Sequence, residues 1–219
     1  MEKYELQLLD PLFYNSSLDA GASGSTTTYP WIGDIALDYA INFSFNIYNT
    51  AFKYTSHKPD YSEIKNFNFV STVGIPIGRC QKTRVYDMAT SFLSEGYADQ
   101  QAIIKSKRSP FRSWIKRQGL SPNNNFYFYI IYNKNISYRF PEKFTIRLGN
   151  MKSTLGFCRR VSIDNRDNVW VNLFTSGIVN GFDKLRSIKT DFVYHYSDRY
   201  IIKKNVKPSE IANYFYGDE

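Results

Sequence analysis

The chain has 219 residues, 42% of them hydrophobic and 22% charged, which excludes general disorder and allows one large domain with a substantial core. A net charge of +8 and a pI of about 9.3 point to a polyanionic partner, while no apolar run reaches membrane-spanning length and no basic, then apolar, leader opens the sequence. Two cysteines without a CxxC spacing and two histidines leave no zinc-ligand cluster, so no metal or cofactor is expected and the compartment expected is the cytoplasm.

Residues 4–9 alternate as a strand with Tyr4, Leu6 and Leu8 on one face, and Asp10-Pro11 ends it because proline cannot donate to a ladder. Asn15 to Tyr29 reads as a surface loop. Its Gly21–Thr28 run resembles a phosphate cradle but lacks the Gly-Lys-Ser/Thr ending of one. After Pro30, apolar residues Ile32, Ile35, Ala36, Tyr39, Ala40 and Phe43 recur at three- and four-residue steps, which predicts an amphipathic helix with Asp34 at its positive end. Asn42 to Phe69 predicts strands or irregular structure, and Phe69 to Ile77 a strand.

Residues 79–119 hold the densest positive charge and weak strand periodicity, which predicts a basic insertion or thumb-like lobe. Within it Ser109-Pro110 predicts a short helix with Phe111, Trp114 and Ile115 on its apolar side. The aromatic, β-branched run Phe126 to Tyr132 predicts a central strand covered on both faces, and Ile136 to Phe140 its return. Asp164 to Asn168 is turn chemistry; Val169 to Phe174 and Phe192 to Tyr196 predict strands, and Pro208 to Phe215 a short closing helix. Cys80 and Cys158 read as free thiols, with a single disulfide as the alternative.

The most informative stretch is Phe144–Val161. Phe144, Ile146 and Leu148 alternate with Thr145 and Arg147; then Gly149-Asn150 breaks the pattern, and Gly156 reopens the chain after Lys152-Ser153-Thr154. Arg147, Lys152, Arg159 and Arg160 face no carboxylate in this stretch, and hydroxyls and an amide lie between the glycines, the donors a phosphate backbone needs. A competing reading makes the hairpin a protein dock, with Met151 and Phe157 as apolar anchors.

This stretch also carries a resemblance. Ile146-Arg-Leu-Gly-Asn-Met-Lys-Ser153 resembles the IRLGKW-x-S-K run of the type I-D member of the CRISPR-associated family numbered five, with Asn150-Met151 in place of the family's Lys-Trp. Tyr4–Tyr14 and Asp34–Ile41 resemble the same family in order and separation. The resemblance implies a single RAMP-like domain over residues 1–219. Its fold would be α+β, a ferredoxin-like or RRM-type antiparallel sheet with a packed helix, elaborated by extra β-hairpins and the basic insertion at 79–119. It implies a noncatalytic antiviral-defence subunit of a Cascade-like effector complex. That subunit would hold the 5′ handle of the guide RNA and touch the backbone and large subunits, with target DNA nearby and no membrane. The expected RNA-binding residues are Arg147, Asn150, Lys152, Ser153, Arg159 and Arg160, with Lys105, Lys107, Arg108, Arg112, Trp114 and Lys116 in the basic segment. Two alternatives are a guide-RNA-processing endoribonuclease with His195 as base, and a basic RNA-binding protein unrelated to CRISPR.

Overall fold

The structure is a computed structural model that describes residues 1–14, 25–48, 61–90, 113–134, 136, 138–149, 154–182 and 193–216. Its centre is an antiparallel sheet. Strand β1 (Glu2–Leu8) lies in the middle of the order β3–β7–β1–β9–β8, made with β3 (Phe69–Ser71), β7 (Asn125–Tyr132), β8 (Lys143–Leu148) and β9 (Thr154–Val161). The two-residue β4 (Ile75–Pro76) also pairs with β7. The alternation of β1 decides its faces: Tyr4, Leu6 and Leu8 are wholly buried, while Lys3, Glu5 and Gln7 point the other way.

Helix α1 (Asp34–Phe45) connects β1 to β3, and β7 pairs between those two strands, a split β-α-β unit. Among the described residues between β7 and β9 there is no helix; the hairpin β8–β9 completes the sheet instead. Helix α1 touches both outermost strands, β3 and β8. Five flat strands would hold their outer members roughly 19 Å apart, about twice a helix diameter, so the sheet curls around the helix. Rings fill the concave side: Tyr4 meets Phe144 edge-on at 5.2 Å, and Phe140 lies 4.9 Å from Phe45 and 5.2 Å from Phe69.

Two three-stranded sheets flank this core. One has the order β10–β12–β11, from β10 (Val169–Asn172), β12 (Tyr200–Val206) and β11 (Val193–Ser197), with helix α2 (Leu173–Asn180) after β10. The other has the order β2–β6–β5, from β2 (Ser25–Thr27), β6 (Ser113–Gln118) and β5 (Tyr86–Thr90). It brings the end of the Ser/Thr/Gly loop beside the basic segment, with Ser25 in register with Lys116.

Several expectations are corrected. Residues 113–117 are strand, not helix: β6 pairs with β5 on one side and β2 on the other, and ladder hydrogen bonds override the helix-start signal. The described residues of 136–140 form no strand; Phe140 turns inward to plug the ring cluster instead. The expected strand at 169–174 ends at Asn172, whose side chain caps α2 by accepting from the Phe174 N–H. On α1, Phe43 is exposed, and Asp34, Asp38 and Asn42 are buried instead.

Those buried acids are satisfied mainly by neighbours on other elements. Asp34 accepts from Thr175 Oγ1 (2.5 Å) and Asn172 Nδ2 (3.0 Å), tying α1 to α2 and β10. Burial pushes its carboxyl up to about 6, against the opposing pull of those hydrogen bonds. Asp38 Oδ1 accepts from the Ser71 N–H (2.6 Å) and hydroxyl (2.7 Å), and burial, then the nearby Asp34, raises its carboxyl well above the ordinary range. The thiols of Cys80 and Cys158 are free, and burial pushes both upward.

Candidate nucleic-acid interface

The convex face of the central sheet is set by period-two alternation. On β8, Lys143, Thr145 and Arg147 are exposed while Phe144, Ile146 and Leu148 are buried. On β9, Leu155, Phe157 and Arg159 share the outward side, and the register aligns Lys143 with Arg159, Thr145 with Phe157 and Arg147 with Leu155. From β1, Gln7 stands opposite Phe157 and Glu5 opposite Arg159. Phe157 is therefore a partly open ring flanked by a hydroxyl and an amide, with cations at the diagonal positions.

The charges are not equivalent. Lys143 and Arg159 lie directly opposite one another, which is unfavourable for like charges; Glu5 relieves it by accepting from Arg159 Nη2 at 2.9 Å. Among the described residues no carboxylate pairs with Lys143 or Arg147. Arg160 is turned to the opposite side, where its Nη1 donates to Glu2 Oε1 at 2.6 Å. Glu2 also accepts from Tyr132 OH at 2.5 Å, so Arg160 closes the sheet's rim rather than joining the face.

Toward β7 the same face is covered. The 164–168 turn folds over it: Asp167 accepts from Lys3 Nζ and from Tyr129 OH, and the Asn168 carbonyl accepts from Tyr127 OH at 2.8 Å. Lys3 Nζ lies 4.9 Å from the Tyr127 ring centroid. Asp164 fixes the turn through Arg166, whose side-chain and backbone donors pull its carboxyl down to about 2.

The base of the β8–β9 hairpin is held against the chain that leaves β1. Thr154 Oγ1 donates to the Pro11 carbonyl at 2.7 Å, and Gly149 takes φ +79°, the left-handed conformation expected from its sequence. A Cβ on Gly149 would also stand 3.0 Å from Leu12. Gly156 does another task than reopening the chain: it is in the middle of β9, where a Cβ would meet Leu6 at 2.5 Å.

Of the expected site residues, Arg147 and Arg159 therefore share one face and Arg160 does not. Asn150, Lys152 and Ser153, with Met151, fall outside the described residues, as do Lys105, Lys107, Arg108 and Arg112. Trp114 and Lys116 are placed on β6, the middle strand of its sheet. Lys143, Thr145 and Gln7 were not singled out from sequence, although extending the alternation of 144–148 by one residue includes Lys143. His195 is exposed on β11 in register with Ile201, and among the described residues no hydrogen bond orients its ring. No group of three metal-ligating side chains is present among the described residues. No described helix is long and apolar enough to cross a membrane.

A basic protein built on a curled antiparallel sheet with few helices is the class that fold and face define. Within it, the family model described as "Type I-D CRISPR-associated protein Cas5/Csc1" matches residues 1–176, and the chain belongs to that family. Among solved structures, a chain of the "Cryo-EM structure of the Type III-B Cmr-beta bound to cognate target RNA and AMPPnP, state 1" is similar at a TM-score of 0.41 and 10% identity, over 94% of this chain and 84% of that one. No curated protein matches the sequence.

Proposed function

We propose that this chain is a noncatalytic guide-RNA-binding subunit of a type I-D effector complex. It holds the 5′ handle and joins the repeating backbone subunit to the large subunit. The observation that carries the reading is the open half of the convex face, where Lys143, Arg147 and Arg159 surround Phe157 in a chain of this family. Lys143 and Arg147, which no described carboxylate pairs, can track phosphates, and the partly open ring of Phe157 gives an unpaired base a surface to stack on. Gln7 and Thr145 beside the ring supply donors and acceptors for a base edge. On this reading the split β-α-β unit is half of a ferredoxin-like motif, with the β8–β9 hairpin in place of the second helix. The protein acts in the cytoplasm.

Catalysis is not part of the proposal. A general base must reach the proton it abstracts and be oriented for it, and His195 stands on an exposed strand with no described partner. Purifying the chain with its genomic neighbours and sequencing the RNA that accompanies it tests the role. Guide RNA with a protected 5′ end is the expected result. Recovery of the complex without RNA, or cleavage of repeat RNA by the wild type that disappears in His195→Ala, overturns it.

A further inference from the structure

The small sheet β10–β12–β11 carries a second group of rings around a cation. Trp170 from β10, Tyr194 and Tyr196 from β11 and Lys204 from β12 lie on one face. Lys204 Nζ sits 4.1 Å from the Trp170 ring centroid, 4.0 Å from that of Tyr194 and 5.8 Å from that of Tyr196. Among the described residues no carboxylate pairs with it, so ring faces rather than an acid position this ammonium. The ladder of rings is anchored at one end and open at the other. Tyr196 lies 5.2 Å from buried Trp31, itself braced by Tyr200 at 5.4 Å, whereas Tyr194 is 45% exposed.

A flat apolar surface beside an ammonium with no acid is complementary to a flat π-system that carries an anion. A nucleotide has both in one unit: the base covers the ring and the phosphate meets the cation. The surrounding hairpin agrees in charge, with Arg199, Lys203, Lys204 and Lys207 against Asp198. We infer that Tyr194, Lys204, Trp170 and Tyr196 form a second contact for single-stranded RNA, with a base stacked on Tyr194 and a phosphate at Lys204. Except for Trp170 these residues follow residue 176, where the family match ends. The inference rests on the proposed RNA-binding function and adds to it a site separate from the β8–β9 face. Two separated contacts raise the effective concentration of the strand at each of them.

The test measures binding of a fluorescent single-stranded oligoadenylate RNA to the full-length chain at several salt concentrations. Tyr194→Ala should weaken binding by about five- to tenfold and Tyr194→Phe should not, since stacking needs the ring and not the hydroxyl. Lys204→Glu should weaken it by about tenfold and flatten the salt dependence. Both effects should add to that of Arg147→Ala, and ultraviolet cross-linking should mark the peptide holding Tyr194. Tyr194 is exposed, so its variants keep the wild-type melting temperature, and they and the cross-link decide the matter even if Lys204→Glu does not fold. If the wild type binds and Arg147→Ala weakens it, but Tyr194→Ala and Lys204→Glu bind as the wild type does, this inference alone is overturned. If Tyr194→Ala releases a protein subunit from the complex and leaves RNA affinity intact, the face is a protein dock and the inference is overturned. If the wild type binds no RNA in a salt-dependent way, the proposed function fails, and this site with it.

Discussion

The two halves of the convex sheet face are built from the same kinds of residue and do opposite things with them. Toward β7, Lys3, Tyr127 and Tyr129 are occupied by Asp167 and Asn168 of one turn, and their charge and hydroxyls are satisfied inside the protein. Toward β8, Lys143 and Arg147 have no described acid, and Phe157 has only a hydroxyl and an amide across from it. Basic and aromatic composition therefore does not locate a binding surface. What separates the halves is a five-residue turn that lies on one of them.

The sharpest way to break the comparison is to remove the cover. Asp167→Ala leaves the Lys3 ammonium and the Tyr129 hydroxyl half-buried and without their acceptor, and should destabilise the fold by about 3 kcal/mol in chemical denaturation. RNA affinity of the folded fraction should be unchanged; a large loss would move the site to the covered half.

The reciprocal change is the double variant Lys143→Ala with Arg147→Ala. It should lower RNA affinity by at least about tenfold and the salt slope by about two, because two phosphate contacts are lost. Its melting temperature should match the wild type. A drop of many degrees would mean that these cations are structural after all.

Acids held inside offer a smaller, pH-dependent contrast with the outer face. The folded Asp34 carboxyl titrates near 6, above its unfolded value of 3.8, so the folded state holds the extra proton between those values. The contribution of Asp34 is therefore most favourable below about pH 4 and is lost as pH rises through 6. Asp34 alone should make the protein about 1 kcal/mol more stable at pH 5 than at pH 7, and Asp38 acts in the same direction. Thermal melts across this range check it. A midpoint that falls from pH 7 to pH 5 would show the carboxyls to be charged in the fold.

The smallest effect belongs to Arg159→Ala. Its pair with Glu5 is exposed and its removal also relieves the repulsion from Lys143, so stability should change by about 0.5 kcal/mol or less in denaturant titration. A loss of several kcal/mol would make this pair structural, like that of Lys3 with Asp167.

Local patterns made much of the core legible. The alternation of Tyr4, Leu6 and Leu8 and of Phe144, Ile146 and Leu148, and the aromatic and aliphatic run from Phe126 to Tyr132 on β7, state most of their own burial, whereas the three- and four-residue steps on α1 give its helix but not its buried face. The left-handed Gly149 was legible for the same reason. What failed depended on distant partners. Arg159 and Arg160 look alike in sequence, yet successive strand residues face opposite ways, and their acids Glu5 and Glu2 lie on β1. Asp34 looked like a dipole partner because Thr175 and Asn172, which make its burial tolerable, come about 140 residues later. Strand β6 was hidden because Trp114-Ile115 breaks alternation, and its pairing is supplied by β5 and β2. Lys204 and its rings were missed because they come from three strands that no local spacing links.

The central position of β1 has a consequence for synthesis. Its hydrogen-bonding partners are residues 125–130 on one side and 156–161 on the other. At about 5–20 residues per second, β1 waits on the order of ten to thirty seconds after leaving the ribosome before its second neighbour exists. During that interval Tyr4, Leu6 and Leu8 form an unpaired apolar edge, open to chaperones and to other chains. The last residues of β9, not the first of β1, set the moment at which the sheet can close.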